Sequence, residues 1–564
     1  MFATSVCFVE VLSYTDTARM KGIWWNFPVA HGSHEESVPS NQELLRVVPP
    51  LKKAPLFSKY AKELGLAIWW ADYSQILYSE QPPSMADLNR KPIIATPPGE
   101  DEPLVLGLWG LTYSGSVTFG VSKSHFPVTI RRVENAPRRL PTPYRGVKVT
   151  GGRLIGFSTY MPESGTGTVK PGENTLFWIN VEVPAGTKPG SYPIFLELTI
   201  PQVEVMTIVA MVKVLPFLLP KADIAYGMYF RWAGQKEARY NNPEITRAYW
   251  RDMARHGMTS ISFYQHTPGG DFMDDEGNIK PLDNHLAVQQ IKEMKEIGLI
   301  HPTIPIMLLS SNLSSYPQVA CIIRDEFKKR ELPELILYGV DEPEVNDKTL
   351  AAFEAFGPVR KYMRLTTAIS DYAASAYSDL IDVWVLQGGR VTPAIQQLAA
   401  QKNKELWTYD CTHRGRGNST RARFYAGIYT WALKLKGNFH WCYTEGYAWE
   451  GNRNAIFSFV LPSKSGPIPS VAWEARREGV EDYRTIRLLE ARINERRGSS
   501  VASEASKWLA RIRARVNWNL IKGMPKSIYP WDGAEVFPMC PDFKPSELPA
   551  IRARAQHYII KLDG

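Results

Sequence analysis

Hydrophobic residues follow two rhythms along this chain, and the change between them divides it. Up to about residue 218, short runs rich in β-branched and aromatic residues alternate with Pro and Gly, the pattern of strands separated by turns. Leu104–Leu111, Val117–Val121, Thr175–Val183 and Tyr192–Ile200 are such runs, and Gly186-Thr-Lys-Pro-Gly190 is the turn between the last two. Helical period is scarce here, apart from Phe57–Leu64, so residues 1–218 are expected to form a β-sandwich. After Pro216 and Pro220 the apolar runs alternate with helical stretches, which is the α/β signature. Eight strands are expected: Ile224–Phe230, Ser260–Tyr264, Thr303–Leu309, Leu335–Val340, Leu365–Ser370, Leu380–Leu386, Glu405–Tyr409 and Asn438–Tyr443. Helices such as Pro243–His256, His285–Ile297, Lys348–Lys361 and Arg421–Lys434 fill most of the gaps. This predicts a central (β/α)8 TIM-like barrel over residues 219–465. An open doubly wound sheet is the alternative, but no GxGxxG follows the first strand, which disfavours a dinucleotide site. Helical stretches at Trp473–Arg497 and Ser503–Ala514 predict a C-terminal helical extension, 466–564, completing the barrel.

Composition narrows the class. A chain of 564 residues exceeds one ordinary core, and 44% hydrophobic with 22% charged residues excludes a disordered chain. The 17 Trp and 26 Tyr suit stacking on sugar rings, but they suit core filling as well. The net charge of +9 is scattered, with no Lys/Arg run interleaved with aromatics, so solubility rather than a nucleic-acid partner is the favoured reading. The clearest basic cluster, Arg131-Arg132 with Arg138-Arg139, is expected to lie in a Pro-rich loop. Five cysteines in an odd set without CxxC or Cys/His ligand spacing read as isolated buried thiols, not a disulfide framework or zinc site. No run of apolar residues is long enough for a membrane span. Met1–Leu12 lacks a basic n-region and a cleavage site. The expected compartment is the cytoplasm, or the periplasm or exterior if an export signal lies outside this sequence. Oligomeric state is open.

Candidate chemistry gathers at strand ends, where barrel active sites sit. Leu335-Ile-Leu-Tyr-Gly-Val-Asp341-Glu342-Pro343-Glu344 runs an apolar strand straight into two acids and a proline. Acids there are placed for general acid or base work, and Pro343 fixes where they point; turn residues are the other reading. Glu344 reads as a solvated loop acid. At the seventh strand end, Asp410 lies where a second carboxylate of a retaining glycosidase would sit, or it caps a loop. Trp407 and Tyr409 share a strand face, to line a sugar site or to fill the barrel, core filling being the safer reading of Trp407. At the eighth, Trp441 and Tyr443 share a face suited to a sugar platform, His440 faces away as a structural histidine, and Glu445 is a reserve carboxylate. Tyr264 and His266 close the second strand as substrate-contact candidates, and Tyr229 to Trp232 close the first. Gly466 to Tyr483 reads as a charged helix start with Ser470 as N-cap, so a structural role is favoured. P-loop, HExxH and GxSxG motifs are absent.

Several segments together resemble glycoside hydrolase family 123 and its uncharacterised relatives. Pro98-Gly-Glu-Asp-Glu-Pro103-Leu, Phe177 to Pro184 and Lys188 to Tyr192 are similar to that family's sandwich domain. The strand ending Asp341-Glu342-Pro343, the stretch Trp407 to Cys411 and above all Gly466 to Tyr483 are similar to its barrel, and the likeness covers roughly residues 90 to 490. It implies a retaining exo-β-N-acetylgalactosaminidase or hexosaminidase in which the sugar's 2-acetamido oxygen is the nucleophile. Glu342 would be the acid/base, Asp341 the residue that orients the acetamido group. Asp410, where relatives often carry a small polar residue, and the stretch Trp441 to Glu445 depart from the family pattern. The exact sugar is therefore open. The alternatives are a glycosidase acting on a non-acetamido sugar through Glu342 with Asp410 or Glu445, or a non-catalytic glycan-binding protein. No metal or organic cofactor is implied, and the expected partner is a carbohydrate, not nucleic acid or a membrane.

Overall fold

A computed structural model describes residues 54–140, 153–158, 160–231, 243–264, 280–309, 317–410, 418–444, 458–463, 466–519 and 543–564. The architecture is multidomain and mixed α/β. In the N-terminal part, strands β1 (Leu66–Trp70), β2 (Ile93–Thr96), β3 (Asp101–Gly110), β4 (Gly115–Lys123), β5 (Val128–Val133), β6 (Asn135–Leu140), β7 (Arg153–Ser158), β8 (Thr166–Val169), β9 (Asn174–Glu182), β10 (Gly190–Ile200) and β11 (Glu204–Val214) follow one another. They build a four-stranded sheet, β1-β3-β9-β5, a five-stranded sheet, β2-β11-β10-β4-β8, and the separate pair β6-β7. The two larger sheets face each other across one core, in which Leu106 and Phe177 of the first meet Phe119 and Leu196 of the second. This is the two-layer solution for sheets with one apolar face.

The first sheet is buried on both sides, which is why β3 carries almost no solvent-facing position. Its second face presents Trp69, Val105, Trp109 and Trp178 to Val471, at the start of the long helix Val471–Glu495.

The second rhythm forms a closed parallel barrel. Its strands are β12 (Ala225–Arg231), β13 (Ser262–Tyr264), β14 (Ile306–Leu309), β15 (Leu335–Tyr338), β16 (Leu365–Ile369), β17 (Val383–Gln387), β18 (Glu405–Asp410) and β19 (Gly437–Trp441). They pair in sequence order, and β19 returns to β12 through Ala225↔Gly437 to Tyr229↔Trp441. Each lies within or overlaps a segment expected from the pattern, usually trimmed at an end. Helices including Pro243–Arg255, Leu286–Ile297 and Pro317–Lys329 separate them.

The barrel lumen is packed rather than hollow. Ile336, Tyr338, Val383, Val385, Trp407, Tyr409 and Phe439 fill it, with Trp441 half-buried. Trp407 lies flat against Phe439, ring centroids 5.4 Å apart, and occupies the space where Gly437 has no side chain. All strands run the same way, so their C-terminal ends form one rim. A short antiparallel pair, β20 (Val460–Ser463) and β21 (Gly466–Pro469), leads into the long helix, whose N-cap is Ser470, accepting from Trp473 N at 3.1 Å.

That helix is buried over its whole N-terminal half, charges included. Arg423, Arg477 and Arg552 meet Glu474, Glu478, Glu481 and Asp482 there, with Asp101 and Glu102 from β3. The network joins sandwich, barrel and the C-terminal helix Glu547–Asp563, and so bears out the structural reading of this segment. Gly479 and Gly427 allow the close crossing beneath it: a Cβ on Gly479 would stand 2.2 Å from Arg423 O.

Candidate active site

β15 ends at Tyr338, and the chain then leaves the barrel through Gly339, Val340, Asp341 and Glu342. The neighbouring strand β16 acts as the template for this turn. Gly339 N donates to Thr366 O at 2.8 Å and Glu342 N to Ala368 O at 3.1 Å, while Thr367 Oγ1 donates to Val340 O. Glu342 itself sits at φ +42°, in the left-handed region that a residue with a side chain adopts reluctantly. Such strain persists where surrounding contacts over-determine the backbone, and it is enriched at functional sites. Pro343, buried, follows directly.

Both acids are exposed at the rim, and each is held by a tyrosine from the lumen. Tyr338 donates its hydroxyl to Asp341 Oδ1 at 2.5 Å, and Tyr409 donates to Glu342 Oε1 at 2.7 Å. Between them stands Tyr229, from the end of β12. Its ring centroid lies 6.2 Å from Tyr338, 6.1 Å from Tyr409 and 5.7 Å from Trp441. The result is an aromatic floor with two carboxylates beside it. This is the mixture of apolar surface and a few placed polar groups that a sugar site needs. Burial, then Tyr229 and Asp341, push the Tyr338 phenol well above the ordinary tyrosine range, so it stays a donor.

The structure brings together Asp341, Glu342, Tyr409 and Trp441 of the residues expected from sequence. Three others it places elsewhere. Asp410 is fully buried and faces away from the lumen, where Arg421 Nε and Nη2 donate to its Oδ2 at 3.2 and 3.1 Å. It is therefore one half of an interior ion pair. Trp407 is fully buried, two residues below Tyr409, with its indole donating to Glu405 at 2.7 Å. It plugs the barrel and does not reach the rim. Tyr443 lies beyond the end of β19, so strand alternation no longer applies to it. It packs outward among Phe230, Tyr249 and Trp473 and donates to Asp252 at 2.7 Å.

His266 and Glu445 lie outside the described residues, and Tyr264 is described only as the last residue of β13. Tyr338 was the residue missed: within Leu-Ile-Leu-Tyr it reads as one more core position.

Among the described residues, Glu102, Glu478 and Glu481 have oxygens within 4.8 Å of one another, as metal ligands do. Arg552 Nη1 takes the cation's place, at 3.4, 2.8 and 3.2 Å from them. A cavity of about 580 Å³ lined by Asp223, Trp431, Tyr483 and Arg487 opens where the strands begin, at the barrel's other end from the acids.

Residues 323–489 match the sequence model of the glycoside hydrolase 123 catalytic domain, a span that holds the acids, both tyrosines beside them and the buried helix start. The fold is similar to a family 123 glycoside hydrolase from Clostridium perfringens, described for glycolipid glycan hydrolysis. That match has a TM-score of 0.60 at 12% identity and covers 88% of this chain and 99% of the other. A family 39 glycoside hydrolase from Bacteroides cellulosilyticus WH2 matches at a TM-score of 0.32 and 12% identity, over 70% of this chain and 82% of its own. A Bacteroides ovatus xyloglucanase of family 5 reaches 0.30 at 10% identity, over 70% and 99%. The last two are too distant to add to the argument. No curated protein sequence matches significantly.

Proposed function

We propose that this chain, whose residues 323–489 match the glycoside hydrolase 123 catalytic domain, is a retaining exo-β-N-acetylhexosaminidase working through its substrate's own acetamido group. The observation that carries the reading is the pairing of Tyr338 with Asp341 and of Tyr409 with Glu342 on one rim, while Asp410 is tied to Arg421. Two adjacent acids thus stand on one rim, each held by a lumen tyrosine, and the Asp410–Arg421 pair supports the reading without a seventh-strand nucleophile.

In the first step the acetamido oxygen attacks C1 and the C1–O bond to the leaving group breaks. Glu342 gives its proton to the departing oxygen, and Asp341 accepts from the acetamido N–H, stabilising the positive charge of the oxazoline ring. In the second step Glu342, now a carboxylate, takes a proton from water as that water attacks C1 and reopens the ring. Two inversions give net retention. A tethered nucleophile already in position removes much of the entropic barrier, worth as much as ~7–11 kcal/mol in well-oriented intramolecular reactions. Trp441, half-buried beside Tyr229, provides a face for the sugar ring. N-Acetylgalactosamine is the sugar favoured by the family resemblance.

The test is hydrolysis of p-nitrophenyl glycosides, β-GalNAc and β-GlcNAc among them, by wild type and Glu342→Gln. Release from an N-acetylhexosaminide that vanishes in the variant is the expected result. Release only from sugars without an acetamido group sinks the mechanism.

A further inference from the structure

Beyond the end of β19 the chain is tied down at Tyr443, two residues past Trp441. Its backbone N–H donates to Tyr229 O at 3.1 Å, which prolongs the β12–β19 ladder past the pair Tyr229↔Trp441. Its carbonyl accepts from Phe459 N at 3.0 Å and from Val460 N at 3.1 Å, where β20 begins. Its phenol donates to Asp252 Oδ2 at 2.7 Å, and the Trp473 indole donates to the same oxygen at 2.8 Å. Asp252 belongs to the helix Pro243–Arg255, between β12 and β13, and Trp473 to the long buried helix. The Tyr443 side chain is fully buried, with the ring centroids of Phe230, Tyr249 and Trp473 at 5.8, 5.6 and 5.5 Å. Burial, then Asp252, push its phenol well above the ordinary tyrosine range, so it stays a donor. Trp441, by contrast, is half-buried, its ring centroid 5.7 Å from that of Tyr229. A ring that packing encloses less takes its place from the backbone on either side. On one side that backbone is the strand pairing with β12; on the other it is the anchored Tyr443.

We infer that Tyr443 is a positioning residue for substrate binding: its phenol bond to Asp252 fixes the chain just past β19, and with it the Trp441 ring against which the sugar lies. The inference rests on the glycosidase reading with Trp441 as a face for the sugar, and it adds what holds that face in place. It does not depend on which atom attacks C1, because any glycoside bound against Trp441 registers the displacement. Tyr443 packs outward from the barrel and acts only through Trp441. A face of this kind supports the bound substrate and the transition state alike, so its displacement falls on KM with kcat little changed. Asp341 and Glu342 are held from β15 and β16, away from this segment, and keep their geometry.

Tyr443→Phe removes the O–H and keeps the ring. On the p-nitrophenyl glycoside that wild type hydrolyses best, KM should rise on the order of 10-fold, the low end of what a hydrogen bond to a charged group contributes. The kcat, referred to folded protein, should stay within about twofold. Residues in one network do not act additively, so a double-mutant cycle tests the route. Trp441→Ala should raise KM by itself, and adding Tyr443→Phe to it should change KM by less than about twofold. If Tyr443→Phe does not fold, Asp252→Asn weakens the same bond from its other end and should raise KM in the same way, again only while Trp441 is present. A merely structural role gives the opposite split, kcat falling with the active fraction while KM stays put, and that result overturns the inference. So does a rise in KM that is as large without Trp441 as with it, or a Trp441→Ala variant that binds like wild type. Wild type that releases nothing from any glycoside of the panel overturns the glycosidase reading, and the inference with it. Release only from sugars without an acetamido group sinks that mechanism alone, and the same variants still decide on Tyr443.

Discussion

Arg552→Met removes the cation on which the buried network depends, and the structure sets the size of the effect. Arg552 Nη1 lies 2.8 Å from Glu478, 3.2 Å from Glu481 and 3.4 Å from Glu102, and its Nε reaches Asp482 at 2.5 Å. All four partners are buried. Methionine matches the aliphatic stem but leaves acids from two domains facing one another without their counter-charge. Breaking a buried pair from one side costs about 3–5 kcal/mol, which lowers the melting temperature on the order of 10 °C. The loss should depend on pH. Burial, then Glu478, already push the Glu102 carboxyl from 4.5 to about 8 even with the arginine present, and Glu481 is also raised. A raised acid binds its proton more tightly in the folded protein. Its contribution to stability is thus full below about 4.5 and is lost as pH rises through about 8. Without Arg552 that loss deepens, so the variant should fall further below wild type at about pH 8.5 than at about pH 5.5. Thermal melts of both proteins at the two pH values measure this. A variant as stable as wild type, or one equally destabilised at both, would refute the assignment of Arg552 as the cluster's counter-ion.

Two further outcomes follow from the rim. Asp410→Asn should lose about 3 kcal/mol by leaving Arg421 buried without its anion, while the folded fraction keeps wild-type kcat; active-site titration beside a melt separates the two. A collapse of kcat in a protein of wild-type stability would restore Asp410 to the chemistry. Tyr409→Phe deletes the donor to Glu342 and should lower kcat/KM on the order of 10- to 100-fold with little change in melting temperature. Unchanged kinetics would detach Tyr409 from the acid.

Much of this site was legible from spacing, and the failures have definite physical causes. Asp341 and Glu342 stand out because an apolar strand ends in adjacent charges, and parallel strands bring such ends to one rim. Parity held along β18: Tyr409 faces the lumen, and Asp410, one residue on, faces outward to Arg421. That outward direction follows from period two alone, and it leaves the capping and second-carboxylate readings of Asp410 side by side. Tyr443 failed for a different reason. Alternation from Trp441 presumes that the strand continues, but β19 ends at Trp441 and a strand's last residue is not written in its pattern. Tyr338 shares its face with Ile336, and nothing local distinguishes the lumen layer at the rim from the one below it. The pairing of Arg552 with Glu102, 450 positions apart, lay beyond any local signal.

The segment from Gly466 to Tyr483 shows how a scaffold element bears on chemistry it never touches. Arg476 is fully buried, and its Nη2 donates to Asn438 O at 3.0 Å and reaches Gly227 O at 3.5 Å. Gly227 belongs to β12 and Asn438 to β19, the two strands whose pairing closes the barrel. Burial lowers the Arg476 guanidinium to about 10, so it stays charged at neutral pH even with its solvation stripped away. A cation fixed across that seam touches one carbonyl from each of the two strands. From the same two strands, a few residues further on, come Tyr229 and Trp441 at the rim. The helix thus fixes the register of the seam from outside, the seam fixes the aromatic floor, and the floor stands beside the acids that β15 and β16 hold in place.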